Sequence, residues 1–317
     1  MTKVYELDES NIFFKKYRGE LTEGITYNPS NDTLLWVDII RGEVHRVKLS
    51  REEEEEIEKS HEVLKFEDGQ ESIGAIGLTN DDNIVIICAK YGICKGNFKK
   101  GEIEYIVEYN HTQEQKKRLR SNDGIIDPWG HLWIGVMTDF PVAEQEGVKP
   151  EGRLYRINCH DLTIETMVQD CFISNGLNFS FNGKKFYWTD SLTYKIWSFD
   201  YDYISNTLSN KQEFINMKTI ETGESPEPDG LTIDKNDEIY SAIFSAGKIV
   251  HLNQQAEITE IFKLPTPKIT CVTIGGSKNN QLFITSAKDG SLGGYLYKIQ
   301  LNKSLNGKIK FVWGGKS

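Results

Sequence analysis

Short apolar runs, separated by polar turn residues, recur along the whole chain. Val, Ile, Phe, Tyr and Trp gather in runs of four to eight residues bounded by Asn, Asp, Gly and Lys, while helical periodicity is poor, so the pattern predicts strands. Six turn signals punctuate them: Asn31-Asp32, Asp81-Asp82, Trp129-Gly130, Asn182-Gly183, Asn236-Asp237 and Asn279-Asn280. Each is followed by a strand-like run such as Leu34-Leu35-Trp36-Val37, Leu132-Trp133-Ile134 or Phe186-Tyr187-Trp188. With 31, 82, 130, 183, 237 and 280 as markers, the gaps are 51, 48, 53, 54 and 43 residues. A period of about 40–50 residues built from short strands predicts an all-β fold, a six-bladed β-propeller.

The same phase places an oxygen side chain eight residues before four of the turns. Glu23 precedes Asn31, Asn122 precedes Gly130, Asn175 precedes Gly183 and Asp229 precedes Asp237. Equivalent positions of a radial repeat lie at equivalent radii, so these groups are expected to converge on a central channel, where a bare carboxylate is costly without a cation. Gly24, Gly176 and Gly230 follow three of them directly; in the remaining repeat Asp123 intervenes before Gly124, which leaves Asn122 and Asp123 as alternatives for that position. Glycine there suits an unusual φ or a close backbone approach. Glu23, Asn175 and Asp229 form an all-oxygen donor set suited to one hard divalent cation, Ca²⁺, Mg²⁺ or Mn²⁺. Three protein ligands leave positions for water or a substrate oxygen, and a cation so held polarises a carbonyl and acidifies bound water, which points to ester or lactone hydrolysis. Taken singly, Asn-Gly and Asp-Gly pairs are ordinary turn residues. Arg120 and Asn122 add a cation and an amide near the same axis, groups able to bind hydroxyls or carboxylates; the competing reading has Arg120 closing the basic run from Lys116 and facing solvent.

Composition narrows the function classes. The balance of 37 basic against 47 acidic residues gives a net charge of −10 with no basic stripe, which excludes a nucleic-acid partner. Residues 1–16 hold Asp8, Glu9, Lys15 and Lys16 and no signal-like apolar core, and no later stretch is long and apolar enough for a membrane span, so a soluble cytoplasmic protein is expected. The unbroken repeat favours one domain over 1–317. Five cysteines without a CxxC pair read as reduced, buried thiols. The acidic stretch 51–62 reads as a solvated loop, and 140–152 and 217–228 as loops walling or covering a pocket. Segments 12–17, 294–301 and 308–313 are candidate strands for closing the ring. HExxH, GxSxG, P-loop and GxGxxG motifs are missing, and His45 and His131 read as ordinary surface or half-buried residues.

In this order along nearly the whole chain, the motifs Leu21-Thr22-Glu23-Gly24, 120–124, Asp127-Pro128, Gly135-Val136-Met137, Ile173-Ser174-Asn175-Gly176-Leu177, 187–194, Pro228-Asp229-Gly230 and Ala287-Lys288-Asp289-Gly290 resemble the SMP-30/gluconolactonase/regucalcin family, in its eukaryotic regucalcin-like branch. The resemblance implies a six-bladed propeller with one catalytic divalent cation (calcium, zinc, manganese or magnesium) in its central channel, opening a sugar lactone. It makes Glu23, Asn175 and Asp229 the metal ligands, Asp229 also the general base, and Arg120 and Asn122 the substrate contacts, with Asn122 preferred over Asp123. A related metal-dependent propeller esterase or phosphotriesterase, and a non-enzymatic calcium-binding propeller, are the alternatives. One departure bears on substrate: where some members carry a substrate-contacting glutamate this chain has Phe140, with Asp139 one residue away.

Overall fold

In the computed structural model, which describes residues 2–49, 54–67, 69, 71–220 and 225–316, every one of the six turns joins the innermost strand of a sheet to the next strand outward. The innermost strands are Thr22–Asn28, Ile73–Leu78, Leu119–Ile126, Ser174–Phe179, Glu227–Ile233 and Ile269–Gly275. Each begins an antiparallel sheet of four strands, the fifth sheet carrying an additional one, and neighbouring innermost strands touch around a ring. The protein is therefore the six-bladed β-propeller that the repeat predicts. Five of the six turns hold a residue in the left-handed region, Asp32, Gly130, Gly183, Asp237 and Asn279, which is why Asn, Asp and Gly mark them.

The core lies in the wedges between blades. Ala75, Ile86 and Ile93 of the second blade pack against Ile126, Leu132 and Ile134 of the third, and Trp133 of the third packs among Phe179, Phe186 and Trp188 of the fourth. All five cysteines are buried and unbridged, as their scatter through apolar runs predicts.

The ring closes in the sixth blade, where Ile12–Phe13 pairs antiparallel with Leu296–Gln300. Further upstream, Lys3–Glu6 adds a parallel outer strand to the fifth blade. The expectation for 308–313 needs correction: this segment does not join a blade. It crosses the ring on the side that carries the hairpin turns, with Lys308 Nζ donating to the Phe179 carbonyl (2.6 Å), Val312 bridging Leu78, and Gly314 N–H donating to the Gly130 carbonyl (3.0 Å). Two predicted loops also contain helices. Glu54–Lys59 is helical, with Lys59 paired to Glu55 and Glu56, while 51–53 lie outside the described residues. Phe140–Glu146 is helical too, capped by Asp139, whose carboxylate accepts from Phe140 N–H (2.8 Å), and ended at Gly147. Of the third loop, 217–228, residues 221–224 lie outside the described residues. Among the described residues no helix is long and apolar enough to cross a membrane.

Candidate functional site

All six innermost strands slip register near their start. The slips fall between Glu23 and Thr26, Ile73 and Ala75, Ser121 and Gly124, Asn175 and Leu177, Pro228 and Leu231, and Ile269 and Val272. A bulge re-aims the side chains on either side of it, and these bulges coincide with the positions singled out by the eight-residue offset. Close backbone approach explains Gly176, where a Cβ would lie 2.2 Å from the Asp229 carbonyl, and a positive φ of +58° explains Gly24.

Glu23, Arg120, Asn122, Asn175 and Asp229 all border one cavity of 220 Å³ at the end of the ring opposite the turns. Each is almost fully buried. The competing reading of Arg120 fails because the basic run divides: Lys116, Lys117 and Arg118 finish a helix, Arg118 pairs with Glu146 and Glu151, and Arg120, already on the strand, turns inward. Its Nη1 donates to Asn122 Oδ1 (2.8 Å) and the Ser121 carbonyl (2.9 Å), and Phe140 covers the guanidinium at 4.1 Å. Asn122 Nδ2 donates to the Ser174 carbonyl (3.1 Å), tying the third blade to the fourth. Of the two alternatives in the third repeat, Asn122 borders this cavity, whereas Asp123 borders a small void farther along the channel with Cys271 and Lys310.

The electrostatics are those of an anionic pocket short of positive charge. Burial, and then the charge of Asp123, push the Glu23 carboxyl up to about 8, against the pull of the Gly24 N–H and Arg120. Asp229 is held well above the usual carboxylate range by burial and then by Glu23, and Asn175 beside it offsets only part of the rise. Burial also lowers Arg120, with Asp139, Glu23 and Asp229 opposing. Asp229 Oδ1 is buried without a hydrogen-bond partner. Glu23 Oε2 accepts from the Gly24 N–H (2.8 Å), and Asn175 is oriented by Nδ2 donating to Ser191 Oγ (3.3 Å) and Oδ1 accepting from Gly176 N–H (3.1 Å). An unsatisfied carboxylate oxygen beside a second carboxylate and an amide oxygen is a donor set that fits a hard divalent cation. Among the described residues no group of three His, Cys, Asp or Glu side chains could hold a metal, so the amide of Asn175 is essential to any such set.

Two polar residues of the cavity wall escaped the offset rule. Ser191 follows the Asp190 that ends its strand, and Glu227 stands two positions before Asp229, the spacing that puts alternate strand residues on one face. Asp139 does not border the cavity; it caps the helix and pairs with Lys90 (2.6 Å), while Phe140 takes the place at the wall. His45 and His131 also differ from expectation. Both are buried, His45 between Tyr17 and His61 and His131 accepting from the Cys159 N–H (3.1 Å), and neither borders the cavity.

Comparison with known proteins agrees with the fold. The sequence model described as SMP-30/Gluconolactonase/LRE-like region matches residues 21–288. The cell growth-regulated gene 1 protein of Candida albicans is 50% identical over 98% of each chain. A putative sugar lactone lactonase of Bacillus subtilis is 28% identical over 86% of this chain and 85% of its own. Among solved structures, a calcium-binding regucalcin of Agrobacterium tumefaciens superposes with a TM-score of 0.81 at 19% identity, covering 99% of both chains, a likeness of fold. The chain belongs to the SMP-30/gluconolactonase/LRE-like family.

Proposed function

We propose that the protein is a divalent-metal-dependent lactonase. The observation that carries this reading is the unpartnered Asp229 Oδ1 in a cavity where Glu23 and Asn175 from two other blades also converge. Glu23, Asn175 and Asp229 would hold the cation, which supplies Lewis-acid polarisation and acidified water when bound. Arg120 and Asn122, locked to each other, orient the ester of the substrate against that corner of the cavity, Arg120 through its unpartnered Nε and Asn122 through the second N–H of its amide. The free oxygen of Asp229 accepts the proton of the attacking water. Water adds to the ring carbonyl carbon, the bond to the ring oxygen breaks, and the proton passes to the departing alkoxide, giving a hydroxy acid.

Membership of the SMP-30/gluconolactonase/LRE-like family, together with likeness to a relative named as a putative sugar lactone lactonase, supports the reaction class. The reading is tested on protein stripped with a chelator and reloaded separately with calcium, zinc, manganese and magnesium, each form assayed on lactones, aryl esters and phosphotriesters. Lactone turnover restored by at least one cation, and lost by at least about a hundredfold in Asp229→Ala and Glu23→Ala, is the expected result. Full activity in chelator, or turnover of triesters without lactones, would overturn it.

A further inference from the structure

The wall above the polar corner is almost wholly apolar. Ile39, Met137, Phe140, Ile173, Leu192 and Phe244 come from loops and strand ends of several blades and enclose the remaining volume. A polyhydroxylated lactone entering here must find partners for its hydroxyls, and most polar atoms of the cavity are already engaged. Asn122 Oδ1 accepts from Arg120, and one of the two Nδ2 hydrogens goes to the Ser174 carbonyl. Ser191 Oγ receives Asn175 Nδ2, and Glu227 Oε1 receives Ser225 Oγ (2.5 Å). Arg120 directs Nη1 into its own strand and Nη2 to Met137 Sδ (3.2 Å). Apart from Asp229 Oδ1, the buried side-chain polar atoms of this wall without a partner are Arg120 Nε and Glu227 Oε2.

Phe140 is central to this arrangement. Its ring sits over the guanidinium, 4.1 Å from it, and shields the face of the one cation that borders the cavity among the described residues, while Asp139 and Lys90 fix the start of its helix. At 220 Å³, the cavity has room for about seven waters, enough for a small ring bearing a short chain.

We propose that this cavity selects a lactone bearing an apolar alkyl or aryl substituent over a polyhydroxylated sugar lactone, and that Phe140 is the residue that sets the preference. This rests on the lactonase reading for its chemistry. Each methylene removed from water adds about fourfold to binding, whereas each sugar hydroxyl buried without a partner loses about tenfold. Phe140 supplies apolar contact to the substituent and keeps the Arg120 guanidinium face away from it.

The test compares δ-octanolactone with δ-gluconolactone on the cation-loaded protein, in wild type, Phe140→Gln and Phe140→Leu, with a thermal melt to confirm that each variant folds. The alkyl lactone is expected to have a kcat/KM at least about tenfold higher in wild type; the ratio should fall toward unity in Phe140→Gln and survive in Phe140→Leu. A wild-type ratio at or below one, or a ratio untouched by Phe140→Gln, overturns the proposal. If neither lactone is turned over, the lactonase reading fails, and calorimetric binding of the matching alkyl and sugar lactams decides the selectivity alone. Tighter binding of the alkyl lactam sustains it; tighter binding of the sugar lactam, equal binding, or none overturns it.

Discussion

Glu23 joins folding to function at the scale of one residue. Its carboxyl moves from the usual 4.5 up to about 8, and Asp123 is pushed up to about 6 in the same channel, chiefly by burial. Between those limits the folded chain keeps a proton that the unfolded chain has released. The stability these groups contribute is therefore complete below pH 4.5 for Glu23 and 3.8 for Asp123, and is lost as pH rises through about 8 and about 6 respectively. In chelator, urea unfolding should show a decline on the order of a few kcal/mol from pH 5 to pH 8, and Glu23→Gln should make it shallower, the raised Asp123 and Asp229 carboxyls keeping the rest. A flat wild-type profile would contradict this electrostatic account. Glu23, Asn175 and Asp229 were legible in the sequence because each precedes its turn by the same interval. Glu227 was not, since it lies outside that phase and only its alternation with Asp229 marks it. The inward turn of Arg120 depends on where a helix gives way to a strand, at Leu119, which a run of basic letters does not disclose.

Among the elements, the bulged start of each innermost strand does most to build the site. A bulge lets two consecutive residues face the axis region, and glycine follows wherever neighbouring strands leave no space for a Cβ. Gly176 and Gly24 separate the two reasons for glycine. Gly24→Ala meets nothing closer than 3.7 Å and suffers only from its φ of +58°, a cost of about 1 kcal/mol. Gly176→Ala drives a methyl to 2.2 Å from the Asp229 carbonyl and should cost about 3 kcal/mol, while also displacing the strand that carries Asp229. Urea unfolding of the two variants checks the order, and a larger loss for Gly24→Ala would contradict it. The helix Phe140–Glu146 had its own signals in Asp139, Pro141 and Gly147, but a Glu-, Gly- and Pro-rich composition resembles a loop, and the helix is too short to show a clear period. Its importance is positional, because it delivers Phe140 to Arg120.

At the scale of the whole molecule, the blade count followed from the period, whereas the manner of closure did not. Three terminal segments were suitable strands for closing the ring; tertiary pairing set Ile12–Phe13 beside Leu296–Gln300 in the sixth blade and sent 308–313 across the far side, where Trp313 is buried against the second and third blades. Because residues 3–13 and 307–314 are both tied into the ring, we propose that 1–317 act as one domain. The ring matters to function because residues 206 positions apart, Glu23 and Asp229 (229 − 23), meet only when it is closed. Calorimetric titration of the chelator-stripped protein with divalent cations tests that convergence most directly. One cation should bind per chain, with affinity lost by at least about a hundredfold in each of Glu23→Gln and Asp229→Asn; binding of no cation, or of one that both variants retain at full affinity, would contradict the account.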